Sequence, residues 1–212
     1  MVATLKASEI SFPELETIFY LDEVDDDQFF REWQDDLPEI TDAEKQILDK
    51  IKAGYFNLLR HPPMLENAVK MAVVSPLLLL ADFFLPPFQF QAEKSVQLVS
   101  EDDGTIIEGR IDILVLQNEF WVTVIESKQA GYSVEVGIPQ LLAYMLANPN
   151  PSQPCYGMIS NGGYFLFLKL VCGKRPKYAT SELFYLRKKN GNDLYRVVSI
   201  LKRLGQLAKE IS

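Results

Sequence analysis

Gly109-Arg110-Ile111-Asp112-Ile113-Leu114-Val115-Leu116-Gln117-Asn118-Glu119-Phe120-Trp121-Val122-Thr123-Val124-Ile125-Glu126-Ser127-Lys128 is the stretch on which the reading of this chain turns. Two apolar, β-rich runs, Thr105 to Leu116 and Phe120 to Lys128, flank a short polar turn at Gln117-Asn118-Glu119, the pattern of antiparallel neighbours. Period-two alternation puts Phe120, Val122, Val124, Glu126 and Lys128 on one face. By the same rule Glu108, Arg110 and Asp112 share a face of the preceding run. A short turn then brings Asp112 and Glu126 into one neighbourhood, with Lys128 beside them.

Outward from this pair, Ser95 to Ser100 and a turn at Asp102-Asp103-Gly104 complete an antiparallel meander. A helix follows over Ile138 to Leu146, with Pro139 tolerated in its first turn, and then strands Tyr156 to Ser160 and Tyr164 to Val171 around Asn161-Gly162-Gly163. Upstream, Thr41-Asp42-Ala43-Glu44 has capping-box spacing, and Ile47, Leu48, Ile51, Tyr55, Leu58 and Leu59 recur at helical intervals. After Pro62-Pro63, the spacing of Leu65, Ala68, Val69, Ala72 and Val73 predicts a second helix that stops near Ser75-Pro76, because proline disfavours helix at the residue before it. Residues 77–91 are too apolar and too proline-broken to assign. The closing segment Leu194 to Ala208 sets Leu194, Val197, Val198, Leu201 and Leu204 opposite Arg196, Lys202, Arg203 and Lys209, an amphipathic helix with a basic outer face. The expected fold is α/β, a mixed central β-sheet flanked by helices with core order αβββαβ. Residues 1–60 form an acidic, mainly helical N-terminal extension and 61–212 the α/β core, together one compact domain.

The chain has 212 residues, 48% hydrophobic and 24% charged, enough for one ordinary domain and its core. A net charge of −8 argues against a generic electrostatic binder of nucleic acid. That charge is uneven: residues 1–60 hold 6 basic and 15 acidic side chains, 61–168 hold 4 and 11, and 169–212 hold 11 and 3. Lys174, Arg175, Lys188 and Lys189 of the basic final quarter, with Arg110, are therefore candidate contacts to a polyanion; a solvated surface balancing the acidic N-terminus is the alternative. Cys155 and Cys172 are too few for a disulfide framework, and with the single His61 they build no four-ligand zinc site. A reducing cytoplasm is expected. Residues Met1 to Glu9 lack the apolar stretch of a signal peptide, and Leu77 to Leu85 is too short to span a membrane and carries Asp82.

Two convergent carboxylates at a strand end suit a hard divalent cation, magnesium or manganese, which takes oxygen ligands and keeps waters for an incoming phosphate. An ammonium two residues from one of them can orient or help deprotonate an attacking water and offset charge on the transition state. The competing reading is a cross-strand ion pair of Lys128 with Asp112 or Glu126, worth about 0.5 kcal/mol if exposed.

Gly109-Arg110-Ile111-Asp112 on one strand and Glu126-Ser127-Lys128 on the next resemble the metal-binding core of the PD-(D/E)XK nuclease superfamily, and the element order resembles its restriction-endonuclease-like fold. More narrowly, the stretch from about Ile40 to the end resembles small stand-alone bacterial proteins, frequent in cyanobacteria, related to the N-terminal nuclease domain of the type I restriction subunit. The resemblance implies metal ligation by Asp112 and Glu126, with the Ser127 carbonyl as a further contact and Lys128 assisting the water. It implies that Glu66, on the helix before the sheet, completes the site; an ion pair with Lys70 four residues on is the alternative. Gln140 and Tyr144 share a helix face and resemble the Gln-x-x-x-Tyr element of the RecB-like branch, which supports the site or touches DNA; a half-buried aromatic beside a solvated glutamine is the other reading.

The superfamily's proline-aspartate pair is here Ile111-Asp112, which leaves the ligand in place. No Gly-x-x-x-x-Gly-Lys-Ser/Thr loop occurs, so the ATP-driven motor of a type I restriction subunit is absent. The expectation is a magnesium-dependent phosphodiesterase of nucleic acid, DNA before RNA, in a restriction or DNA-maintenance context. Nucleic acid and a protein that supplies targeting are the implied partners, no membrane is involved, and many relatives of the fold work as homodimers. A catalytically silent module that binds nucleic acid or a protein partner is the alternative.

Overall fold

The computed structural model describes residues 4–100, 104–118 and 120–211. Its strands are β1 (Thr4–Lys6), β2 (Asp22–Glu23), β3 (Gln89–Val99), β4 (Ile106–Gln117), β5 (Phe120–Ser127), β6 (Cys155–Ser160), β7 (Tyr164–Val171), β8 (Lys177–Thr180) and β9 (Phe184–Tyr185). They form a central mixed sheet with strand order β1-β4-β5-β6-β7-β8-β2, to which β3 adds on β4 and β9 on β7. The helices are α1 (Phe12–Phe19), α2 (Asp42–Leu59), α3 (Glu66–Val69), α4 (Ser75–Leu80), α5 (Ile138–Leu146) and α6 (Leu194–Ile211). This is a mixed α/β architecture with helices on both faces of the sheet, and it carries the expected αβββαβ order from α2 to β6.

Two apolar layers fill the space between sheet and helices. One packs Leu48 and Tyr55 of α2, Val69, Leu77 and Leu78 of the α3–α4 segment, and Val197, Val198, Leu201 and Leu204 of α6 against Ile113, Ile125 and Phe167. The other packs Leu15 of α1 and Leu141, Leu142 and Met145 of α5 against Ile111, Val124 and Ile159. Thr41 and Glu44 close the capping box of α2. Within the α2 stripe Leu48 and Tyr55 are buried, while Ile47 and Leu58 lie exposed at its margins.

The helix after Pro62-Pro63 does not stop at Ser75. A π-helical turn, Lys70–Val74, joins α3 to α4 and shifts the register, so that Pro76 falls in the first turn of α4 where its missing N–H costs little. β3 begins at Gln89, ahead of the Ser95 read from alternation, because its pairing follows β4 from Val99↔Ile106 to Gln89↔Leu116. It pairs with β4 alone, and its exposed residues blur the periodicity. Of the two expected turns, Asp102 and Asp103 of the first and Glu119 of the second lie outside the described residues.

The first 60 residues join this sheet at both sides: β1 runs parallel to β4 and β2 parallel to β8. Asp25, Asp26 and Asp27 line a cleft with Ala179 and Thr180 beside β8, three strands away from β5. Their charge is thereby held roughly 14 Å or more from β5, taking the ordinary spacing between strands. Among the described residues no helix is long and apolar enough to cross a membrane.

Candidate active site

β4 and β5 pair from Gln117↔Phe120 to Ile113↔Ile125, and there their ladder ends. The Asp112 side chain takes over beyond it: Oδ2 accepts from the Ser127 N–H at 2.7 Å, and Oδ1 accepts from Lys70 Nζ at 2.6 Å. The Lys70 ammonium also lies 2.7 Å from Glu66 Oε1, so one lysine joins the helical acid to the strand acid. The ion pair with Lys70, the alternative reading of Glu66, is the one the geometry contains, and it links Glu66 to Asp112 through the shared ammonium.

The single face read over Phe120 to Lys128 is broken. A register shift between Val115 and Leu116 turns Val122 into the layer beneath α2 and α6, whereas Val124 belongs to the layer beneath α5. Past this bulge, alternation carries Glu126 to the α5 side. Lys128 Nζ donates to Glu126 Oε1 at 2.8 Å and to Gln140 Oε1 at 2.6 Å, and Gln140 Nε2 donates to the Tyr144 hydroxyl at 2.8 Å. Gln140 therefore presents its carbonyl oxygen to the ammonium and its amide to the phenol, leaving no freedom in its orientation. Lys128 uses two of its three ammonium protons in these bonds and lines an open cleft of about 330 Å³ with Glu66, Gln129, Tyr132, Ser133 and Gln140.

Two glycines make this packing fit. A Cβ on Gly137 would stand 2.9 Å from Lys128 Cε and closer still to Ile159 Cδ1. A Cβ on Gly109 would stand 2.5 Å from Tyr144 Cε1. Gly109 was read as part of the Gly109-Arg110-Ile111-Asp112 motif but not for its packing on Tyr144, and neither Gly137 nor Lys70 in its contact with Asp112 was legible; the signal within reach was the helical spacing of Glu66 and Lys70.

Charge is held here at a cost. Burial is the largest influence on Glu126, and the neighbouring Asp112 charge adds to it, pushing the carboxyl up to about 7 although Lys128 acts the other way. Burial likewise raises Asp112, opposed by Lys70 and the Ser127 N–H. Tyr144 is pushed up to about 12 by burial and by the Glu126 charge, against its hydrogen bonds with Gln140 and the Arg110 backbone. Glu126 Oε2 and Ser127 Oγ are buried without a hydrogen-bond partner. Buried polar atoms are ordinarily satisfied; alternation sends these two to opposite faces of β5, so of the pair only the Glu126 oxygen lies on the side of Lys128 and α5.

The donor set suits a hard cation. Among the described residues no group of three or more His, Cys, Asp or Glu side chains forms a ready-made metal cluster. Magnesium needs one or two carboxylates and completes its shell with water and phosphate, and the orphaned Glu126 oxygen and the mutually repelling Asp112 and Glu126 provide that much.

The basic candidates divide. Arg110 is exposed on β4 and pairs with Glu93 at 3.4 Å. Lys174 and Arg175 occupy the turn after β7, which starts at the site end of the sheet beside Ser160 and runs away from it, so they lie at the opposite end, roughly 26 Å along the strand. Lys188 and Lys189 follow β9, whose Tyr185 pairs with Tyr164 at the near end; Lys188 is bridged to Asp193 at 3.0 Å.

No protein-family model matches the chain, and no curated protein sequence does. Among solved structures, a phage-related exonuclease from Haemophilus somnus 129PT is similar over 100% of this chain and 98% of its own, with 14% identity and a TM-score of 0.31.

Proposed function

We propose that this protein is a metal-dependent phosphodiesterase of nucleic acid, with DNA as substrate, in a restriction or DNA-maintenance setting. The observation that carries the reading is the convergence of Asp112, Glu126 and Lys128 where the β4–β5 ladder ends, with one buried Glu126 oxygen unpartnered. Asp112 and Glu126, with the Ser127 carbonyl, would hold magnesium or manganese. When bound, such an ion polarises the scissile phosphate and lowers the pKa of its water. Lys128 directs its remaining proton into the cleft, toward the attacking water or a phosphate oxygen, and Gln140 and Tyr144 hold it there. Glu66 reaches the site through Lys70 as an outer acid. Manganese titrated into the protein in a calorimeter tests the reading: a saturable heat lost in Glu126→Gln and Asp112→Asn supports it, and equal heats in parent and variants count against it.

A silent nuclease-like module that binds nucleic acid or a protein partner is the second reading. It is favoured by the Lys70–Asp112 and Lys128–Glu126 pairs, which already neutralise both strand carboxylates.

A further inference from the structure

Three adjoining clefts share their walls at the site end of the sheet. The cleft of Lys128 shares Tyr132 and Ser133 with a second of about 480 Å³, and this shares Leu59 and Arg187 with a third of about 540 Å³. They make one groove that starts at Lys128, passes along the β6–β7 turn and the C-terminal end of α2, and ends over the segment after β9.

Its lining changes character along the way. Tyr132, 55% exposed, stands at the junction nearest the site, with its carbonyl held by Asn161 Nδ2 at 2.6 Å. Next comes Tyr164, stacked on Tyr185 with ring centroids 4.6 Å apart and 17° between planes. The far cleft is basic: Lys52, Arg60, Arg187 and Lys188 line it, and the Arg187 guanidinium rests over the Phe56 ring at 5.2 Å. Lys52 donates to the Lys188 and Gly191 carbonyls, so its charge is spent on no carboxylate in those bonds. Glu66 and Glu135 are the acids along the groove, and both lie in the two clefts nearer Lys128.

Resting on the phosphodiesterase reading, we propose that this groove is the track of a single polynucleotide strand, whose bases stack on Tyr132 and Tyr164 and whose backbone is held at Arg187 and Lys52. Lys188 is already paired with Asp193 and Asp49 lies within electrostatic reach of Lys52, so phosphates add charge partners chiefly for Arg187, which rests on a ring, and for Lys52, whose hydrogen bonds go to carbonyls; every base has a face that an aromatic ring can meet. A duplex does not fit this chemistry, because its bases are stacked on one another and their faces are closed to rings recessed in a groove. The acidic average of the chain is no obstacle, since Asp25 to Asp27 lie beside β8 at the far side of the sheet.

Fluorescence anisotropy with labelled oligo-dT and oligo-rU of about twelve nucleotides, and with a duplex of equal length, tests this in EDTA and again with calcium. Expected is tighter binding of a single strand than of duplex, weakened roughly tenfold by Tyr132→Ala and by Arg187→Glu, with Tyr132→Trp restoring affinity. The dT and rU arms tell DNA from RNA. Tyr132 is exposed, so its truncation leaves the melting temperature unchanged and the loss is one of binding. Duplex preferred over strand, no binding in either buffer, or affinities indifferent to both substitutions would overturn the track. Failure of the phosphodiesterase reading looks different: groove-dependent strand binding with no cleavage in any metal leaves the track and removes the enzyme.

Discussion

Lys70 and Asp112 meet at 2.6 Å across two elements that are 42 residues apart in the chain, one a π-helical turn and the other a strand. The ammonium sits on one oxygen of a carboxylate whose other oxygen is held by the Ser127 N–H, so Asp112 is positioned on both sides. A cation at Asp112 has to share Oδ1 with Lys70 or displace it.

Lys70→Gln should therefore cut in two directions. Removing one partner of a largely buried pair leaves Asp112 less compensated, and the metal-free protein loses about 3 kcal/mol. The competing charge is gone, and apparent manganese affinity rises roughly tenfold, because the cation takes the place of the ammonium. Chemical denaturation without metal and calorimetric titration check the two halves; unchanged stability with unchanged affinity would show that the pair does nothing.

Acidity gives a second test. The Glu126 carboxyl sits at about 7 against an ordinary 4.5, and an acid raised on folding favours the folded state while protonated. That contribution is lost as pH rises from about 4.5 through about 7, and Asp112, raised in the same direction, adds to the loss. In EDTA the parent should melt lower at about pH 8 than at about pH 5, and Glu126→Gln should flatten the dependence. Magnesium should raise the melting temperature more at the higher pH, where both carboxylates are ionised; a parent and variant with parallel curves would contradict this.

Gly137→Ala tests the space under Lys128. The new methyl meets Ile159 and the lysine stem, an overpacking worth about 1–3 kcal/mol. Pairing it with Ile159→Val relieves one of the two contacts. The double variant should regain stability yet keep a cleavage rate several-fold below the parent, since the lysine stem is still displaced; full recovery of rate would detach Gly137 from Lys128.

Gln140→Leu removes one of the two acceptors that hold the Lys128 ammonium and leaves the Tyr144 hydroxyl with its Arg110 backbone hydrogen bond alone. As a positioning residue it should lower kcat roughly tenfold with KM little changed, and Gln140→Glu, which keeps an acceptor for the ammonium, should recover part of the loss. Steady-state kinetics on a defined oligonucleotide settles it; a change confined to KM would place Gln140 in substrate binding.

What sequence could show and what it could not separate along physical lines. Asp112, Glu126 and Lys128 stood out because charges at the end of apolar strands break a local pattern, and Gln140 with Tyr144 only through their resemblance to a Gln-x-x-x-Tyr element, whose four-residue spacing sets both on one helix face. Lys70 did not, since its contact with Asp112 depends on where a π turn packs against a strand, and Pro76 hid that turn by resembling a helix end. The bulge at Val122 was invisible to strict alternation, and the exposed strand β3 showed only the half of itself that alternates. Short strands such as β1 and β2 have too few residues for any period. Gly137 carries no local sign at all, and Gly109 was legible only as part of the Gly109-Arg110-Ile111-Asp112 motif, because the packing reason for both lies in side chains that approach from other parts of the chain.

Cleavage of labelled single-stranded and double-stranded DNA by the purified protein, with magnesium, manganese or EDTA and beside an Asp112→Asn, Glu126→Gln double variant, tests the central claim most directly. Cleavage that requires the metal and disappears in the double variant is expected. Cleavage that persists in EDTA or in the variant, or none with any metal on either substrate, would contradict it.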